Sequence, residues 1–166
     1  MLAEQLEVVT RQWAEVRPKP IQQPRPPVIL GGGAGPRSLD LAVRFADEYN
    51  TVFATPEDCR RRRAAVEHAW SAAGRSSLRF SLMTGAVLGR DRTEVAERTR
   101  AIAERRGEPG FTPPETWISG TPDEAREQLR RLAEAGVDRV MLQLLLHDDV
   151  AQIELIGREL ASGAFA

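Results

Sequence analysis

The stretch with the clearest potential for chemistry is Val28-Ile29-Leu30-Gly31-Gly32-Gly33-Ala34-Gly35-Pro36-Arg37. Glycines let a backbone approach a ligand closely and adopt positive φ. Here they follow a short apolar run and lead into a helix, with Pro36 at an opening position where proline is tolerated. A helix N-terminus offers free N–H groups and the positive end of the helix dipole, so it suits an anion. Arg37, in the first turn, adds a charge-assisted contact for a phosphate. The spacing is neither a Walker A loop, which needs Gly-Lys-Ser/Thr, nor a good G-x-G-x-x-G followed by a ribose-binding acid. Spacing alone leaves two readings open: a phosphate cradle, or a tight strand-to-helix turn with no ligand.

The other chemically capable residues are scattered. His147 follows the last predicted strand, where it could contact substrate or exchange a proton; the competing reading is a solvent-facing loop histidine beside Asp148 and Asp149. His68 sits mid-helix next to Glu67 and reads as a surface residue. Two distant histidines with no third ligand at useful spacing give no metal site. Arg60-Arg61-Arg62-Arg63 fan around a helix by about 100° each and so form no stripe for nucleic acid; a solvated face paired with Glu57 and Glu67 is the better reading. Asp47 is expected to shape a helix end. Asn50 is placed at a strand start, the structural end of a barrel, and is not read as catalytic. Cys59 stands among arginines that could lower its pKa, but no base partner is evident and a packed thiol is expected.

The elements that must position these residues alternate short apolar runs with helical stretches, the pattern of βαβ units and a parallel sheet. Residues 4–16 predict a helix with Leu6, Val9, Trp13 and Val16 on one face. Residues 18–27 form a Pro-rich connector that cannot be helical. Strands are predicted at 28–30, 51–54, 80–88 and 140–146, each followed by a helix. Thr55-Pro56-Glu57-Asp58, Asp91-Arg92-Thr93-Glu94 and Thr121-Pro122-Asp123-Glu124 are helix-start signals, and Trp117-Ile118-Ser119-Gly120 leads into the third. The organisation is one domain over 1–166: helix to 17, connector to 27, βα units from 28. A (β/α)₈ barrel needs eight such units and roughly 250 residues. The expected fold is α/β, a TIM-barrel type truncated to roughly its last four βα units.

Composition narrows the function classes. A net charge of −1 gives no electrostatic case for nucleic acid or an acidic membrane surface. No apolar run approaches the ~18 residues of a membrane span, and the N-terminus lacks a signal-peptide pattern. A single cysteine excludes an internal disulfide and a cysteine zinc cluster. A cytoplasmic setting is the expectation. Lys19 is the only lysine beside abundant arginine, a bias that speaks of a GC-rich genome.

Two stretches carry a family resemblance. Pro26-Pro27-Val28-Ile29-Leu30-Gly31-Gly32-Gly33, with Leu39-Asp40-Leu41-Ala42-Val43-Arg44-Phe45-Ala46-Asp47-Glu48-Tyr49-Asn50, resembles the strand-loop-helix of luciferase-like monooxygenases. Gly120-Thr121-Pro122-Asp123-Glu124, with Leu132 and Ala135-Gly136-Val137-Asp138-Arg139-Val140, is similar to that family's penultimate helix and final strand. The resemblance implies a (β/α)₈ barrel binding FMN or coenzyme F420 at the C-terminal ends of its strands, with F420-dependent members the nearest branch. It implies hydride transfer to or from a small organic substrate. It also implies that Gly31, Gly32, Gly33, Ala34 and Gly35 hold the cofactor phosphate, with Arg37 in support. The strands that would face the ring and substrate are not among those read here, so no catalytic residue is assigned, and a family excursion near residues 14–18 looks deleted. The alternative is a non-catalytic half-barrel. An open half-barrel leaves strand edges and apolar faces uncovered, so a homo-oligomer or a complementing chain is expected.

Overall fold

The chain builds its helices from local signals at their first turns. The structure is a computed structural model that describes residues 1–23, 25–75 and 78–161. Among these are helices α1 (Leu2–Glu15), α2 (Pro36–Phe45), α3 (Pro56–Ala72), α4 (Arg92–Arg106), α5 (Pro122–Glu134) and α6 (Val150–Leu160). Thr55 caps α3 by accepting from the Asp58 amide at 3.2 Å. Asp91 caps α4 through the Glu94 amide at 2.9 Å, and Asp149 caps α6 through the Gln152 amide at 2.9 Å. Thr121 and Glu124 form a reciprocal capping box on α5. Each cap satisfies amides that the helix itself cannot.

Five strands lie between them: β1 (Ile29–Gly31), β2 (Glu48–Val52), β3 (Arg79–Leu88), β4 (Ile118–Gly120) and β5 (Arg139–Gln143). All pairings are parallel. β1, β2, β3 and β5 lie side by side in that order, and β4 runs along the last three residues of β3. The sheet is therefore four consecutive βα units, the arrangement of one half of a (β/α)₈ barrel. Among the described residues β1 and β5 each have one strand neighbour.

Three sequence-based placements need correction. The second strand runs over 48–52, not 51–54: Phe53 has φ of +44°, which ends the extended backbone. The last strand stops at Gln143 rather than 146. Residues 118–120 form β4 rather than a lead-in, because Ile118 to Gly120 find partners in Ala86 to Leu88.

Register and pleat decide which side chains face which way. Tyr49 lies beside Phe80, and both point toward the helices, with ring centroids 6.3 Å apart. They join Ala42, Cys59, Val66, Leu129 and Leu155 in the main core. Alternation puts Ile29 of β1, Glu48, Asn50 and Val52 of β2, Ser81 and Met83 of β3, and Arg139, Met141 and Gln143 of β5 on the opposite, inner face. Polar residues there are paired. Glu48, 4% exposed, accepts from Arg139 Nη2 at 2.6 and 2.7 Å, and Asn50 Nδ2 donates to Ser81 Oγ at 2.9 Å. Asn50 thus lies within β2 on the inner face rather than at a strand start.

Two aspartates set the strand register by the same device. Asp47 precedes β2; its amide donates to Val28 O at 2.8 Å and its carboxylate accepts from the Val28 amide at 2.7 Å. Asp138 precedes β5 and does the same to Phe80, at 2.8 and 2.7 Å. Each carboxylate also binds a guanidinium, Arg25 for Asp47 and Arg63 for Asp138. Burial pulls the Asp47 pKa up, but hydrogen bonds from Arg25 and the Val28 amide, with the charges of Arg25 and Arg75, outweigh it and hold the carboxyl below the ordinary aspartate range. A lowered folded-state pKa supplies stability above the ordinary aspartate pKa and loses it as pH falls through the folded value. Asp47→Asn should therefore cost about 1–2 kcal/mol at neutral pH, read by urea unfolding, and clearly less at pH 3. An equal cost at both pH values would show that the charge is not what holds this corner.

Candidate active site

The glycine loop is held in shape from below by one phenol. Tyr49, fully buried on β2, accepts from the Ala34 amide at 2.9 Å and shares a 2.9 Å hydrogen bond with Ser38 Oγ. Ser38 Oγ in turn donates to Gly35 O at 2.9 Å. The Gly32 amide donates to Asn50 O at 3.0 Å, which extends the β1–β2 ladder by one rung. A Cβ on Gly31 would stand 2.9 Å from Asn50 O, and one on Gly32 would stand 3.1 Å from the Tyr49 hydroxyl. Those two glycines are needed for packing. Ala34 adopts φ of +59°, the one left-handed residue of the turn.

Gly33 and Gly35 differ from Gly31 and Gly32. A Cβ on either would meet nothing within 4 Å. Among the described residues the amides of Gly33, Gly35 and Arg37 have no hydrogen-bond partner. They cluster at the N-terminus of α2, which has no side-chain cap. The Arg37 side chain is exposed and, among the described residues, makes no ion pair. Space, free donors and an exposed cation thus meet at the C-terminal end of β1, an arrangement suited to an oxyanion.

The neighbouring strand end adds two residues that the sequence reading missed. Val52 and Phe53 close β2, and each is 43% exposed. Phe53 holds its positive φ with its amide bound to Met83 O at 3.0 Å. An exposed aromatic in a left-handed backbone is costly. The sequence showed only an apolar strand there.

His147 is exposed on the loop after β5, at the opposite edge of the sheet from the glycine loop. Its neighbours are committed to structure. Asp148 binds Arg105 at 2.9 Å, and that hydrogen bond lowers its pKa; Asp149 binds Arg98 at 2.6 Å with the same effect. Arg98, buried on α4, also donates to Leu88 O at 2.8 Å. The arginine run of α3 is more than a solvated face: Arg62 reaches Thr51, and Arg63 binds Gly136 O at 2.9 Å, Asp138 and Glu67. His68 is exposed, as expected. Cys59 is wholly buried, and desolvation raises its thiol to about 11 despite Arg62, so it is a packed, inert thiol. Among the described residues no group of three metal-ligating side chains occurs, and no helix is long and apolar enough to cross a membrane.

Comparison with known proteins places this geometry. The family model for luciferase-like monooxygenases matches residues 5–112, more than half of the chain. No curated protein matches. Among solved structures, the coenzyme F420-dependent tetrahydromethanopterin reductase of Methanopyrus kandleri shares 21% identity with a TM-score of 0.63, covering 81% of this chain and 50% of that one. An F420-dependent secondary alcohol dehydrogenase, solved with an F420–acetone adduct, shares 17% identity with a TM-score of 0.69, covering 100% of this chain and 61% of that one. A monooxygenase of Streptomyces bottropensis shares 19% identity with a TM-score of 0.67, covering 94% and 58%. The chain spans between half and about three-fifths of the length of these structures, and the likeness shows the fold. By the family match and the half-barrel geometry together, the chain belongs to the luciferase-like monooxygenase family.

Proposed function

We propose that this chain supplies the cofactor-phosphate half of a flavin- or F420-dependent oxidoreductase site. The observation that carries the reading is the set of unpartnered amides at Gly33, Gly35 and Arg37, in open space above a braced turn. Both FMN and coenzyme F420 carry a phosphate on a ribityl chain, and either fits this donor set. When bound, such a cofactor supplies hydride transfer to or from a small organic substrate. The chain's own part is binding and orientation. Gly31 and Gly32 bring β1 and α2 close, Tyr49 and Ser38 hold the turn, Gly33 and Gly35 leave room, and Arg37 neutralises the anion. Val52 and Phe53 offer apolar surface beside it. A cytoplasmic setting goes with this reading, supported by a single free thiol.

One observation favours a second reading, a non-catalytic half-barrel. The carboxylates whose pKa departs from the ordinary range are engaged in helix caps or ion pairs, as with Asp47, Glu94 and Asp149. None stands beside the glycine loop as an acid or base.

Titration of the folded chain with FMN and with F420, read by calorimetry, separates the two. The cofactor reading expects saturable binding of at least one. Gly33→Val should weaken it at least about tenfold, some 1.4 kcal/mol, yet leave the unfolding midpoint nearly unchanged, because a Cβ there meets no atom within 4 Å. Tyr49→Phe removes the brace instead: it should cost about 1–2 kcal/mol of stability and weaken cofactor binding in the same variant. A folded chain that binds neither cofactor leaves the non-catalytic reading standing.

A further inference from the structure

The strongest unexplained feature is the amount of uncovered surface. A compact monomer of 18.4 kDa exposes roughly 8,200 Å², whereas this chain exposes 10088 Å². The excess, roughly 1,900 Å², is more than twice the ~800 Å² that one partner buries in a standard interface. α1 and the connector hold some of it. The middle of the inner face is closed by Glu48, Asn50 and Ser81, and the exposure lies at its edges and strand ends: Ile29 on the edge strand β1 and Val52 at the end of β2 are 45% and 43% exposed, and Gln143 is exposed at the free edge of β5.

We infer that a second copy of this chain closes the barrel, and that each cofactor site is then shared between copies. The inference rests on the cofactor reading only for what the site binds. The two free edges belong to one parallel sheet, β1 at one side and β5 at the other. A twofold axis along the barrel sets β1 of each copy beside β5 of the other and gives eight strands, all parallel. A twofold interface of this kind is self-complementary and closed.

The register follows from the strand pairings. Ile29 pairs with Glu48, Glu48 with Arg79, and Ser81 with Arg139, so the level of Ile29 passes across the sheet to residue 137. An eight-stranded barrel of this type closes with a shear of about 8 residues, and two identical halves each take half of it. The strand opposite Ile29 is therefore entered about four residues from 137, at Met141 of β5 or at residue 133. Residue 133 lies in α5, which leaves Met141. The parity is right as well, since Ile29 and Met141 both face inward. Carried two residues further, Gly31 stands opposite the partner copy's Gln143, and the turn from Gly32 to Gly35 faces the segment that ends in the partner copy's His147. His147, remote from the glycine loop within one chain, becomes its neighbour across the seam.

Cysteine cross-linking reads this without any cofactor. Neighbouring strands are about 4.8 Å apart, within the Cα range of a disulfide, about 4.4–6.8 Å. An Ile29→Cys chain mixed with a Met141→Cys chain should form a covalent dimer under mild oxidation, and neither variant alone should do so. The unsubstituted chain is the second readout: sedimentation should give twice the monomer mass at micromolar concentration. A monomer at all concentrations, or no cross-link in a folded mixture, overturns the second copy and leaves the inner face to a different chain. Cross-linking without FMN or F420 binding supports the closed barrel and overturns the cofactor reading. Binding of either cofactor by a chain that stays monomeric does the reverse.

Discussion

The parallel sheet depends on an aspartate that sits just before a strand and clasps a residue at the start of its neighbour. Asp47 does this to Val28, and Asp138 does it to Phe80, with nearly equal distances. A parallel ladder has no hairpin turn to fix its register, so the pairing must be set by something else. The backbone amide of each aspartate makes one hydrogen bond to the neighbouring strand and the carboxylate makes a second, so a one-residue slip loses both. An arginine on the far side of each carboxylate, Arg25 or Arg63, holds it in place. Because a slip of one residue exchanges the two faces of a strand, these corners decide that Tyr49 reaches the helix side. From there Tyr49 braces the glycine loop. The shape of the candidate site at the top of the sheet thus follows from a contact at the bottom.

The top of the sheet has its own fastening. Arg98 on α4 ties Leu88 O, Glu94 and Asp149 together, and Gln152 of α6 accepts from the Leu88 amide at 2.9 Å. Below it, Trp117 occupies the place of a side chain on Gly85: a Cβ there would stand 2.2 Å from its ring. Val87, Ile102, Trp117 and Leu146 form a second, smaller core around this point. The loop from Gln143 to Asp149 is therefore anchored at its far end, where Leu146 packs and Asp149 is bound, while His147 between them is exposed. A histidine on a fixed stalk is a different object from one on a loose loop.

What could be read from sequence was whatever chemistry is local. Caps at Thr55, Asp91 and Thr121 are decided within three or four residues, and the helices they open start within a residue of the expected places. The glycine turn and its helix were legible for the same reason. The errors arise where distant residues decide. The expected strand began at 51, with Asn50 at its start and Glu48 outside it, yet both lie within β2. Arg139, far along the chain, neutralises the glutamate, and Ser81 takes the amide of Asn50. β4 is three residues long and exists only because β3 extends past its other neighbours. Arg62 and Arg63 read as surface charges because their acceptors, Thr51, Gly136 and Asp138, belong to other elements. Tyr49 carries no signal of its role at all: a tyrosine in a strand is ordinary, and only the fold brings its hydroxyl to the Ala34 amide.

Binding and chemistry place different demands on a half-barrel, and this chain meets them unequally. An anion cradle at a helix N-terminus is a local device: the free amides of Gly33, Gly35 and Arg37 and one arginine side chain suffice, and the turn is pre-formed by Tyr49. Positioning a redox ring is not local, because the ring and its substrate need walls on several sides and exclusion of water. The inner face that would provide those walls is open on two edges, and two of its apolar members, Ile29 and Val52, stand in solvent. An exposed aromatic at Phe53 in a left-handed backbone makes little sense on a finished surface. It makes sense as one wall of a pocket whose other walls come from across the seam. The exposed apolar residues nearest the glycine turn, Ile29, Val52 and Phe53, thus gather at one edge of the sheet and the strand ends beside it, while the turn itself is fully braced by Tyr49 and Ser38.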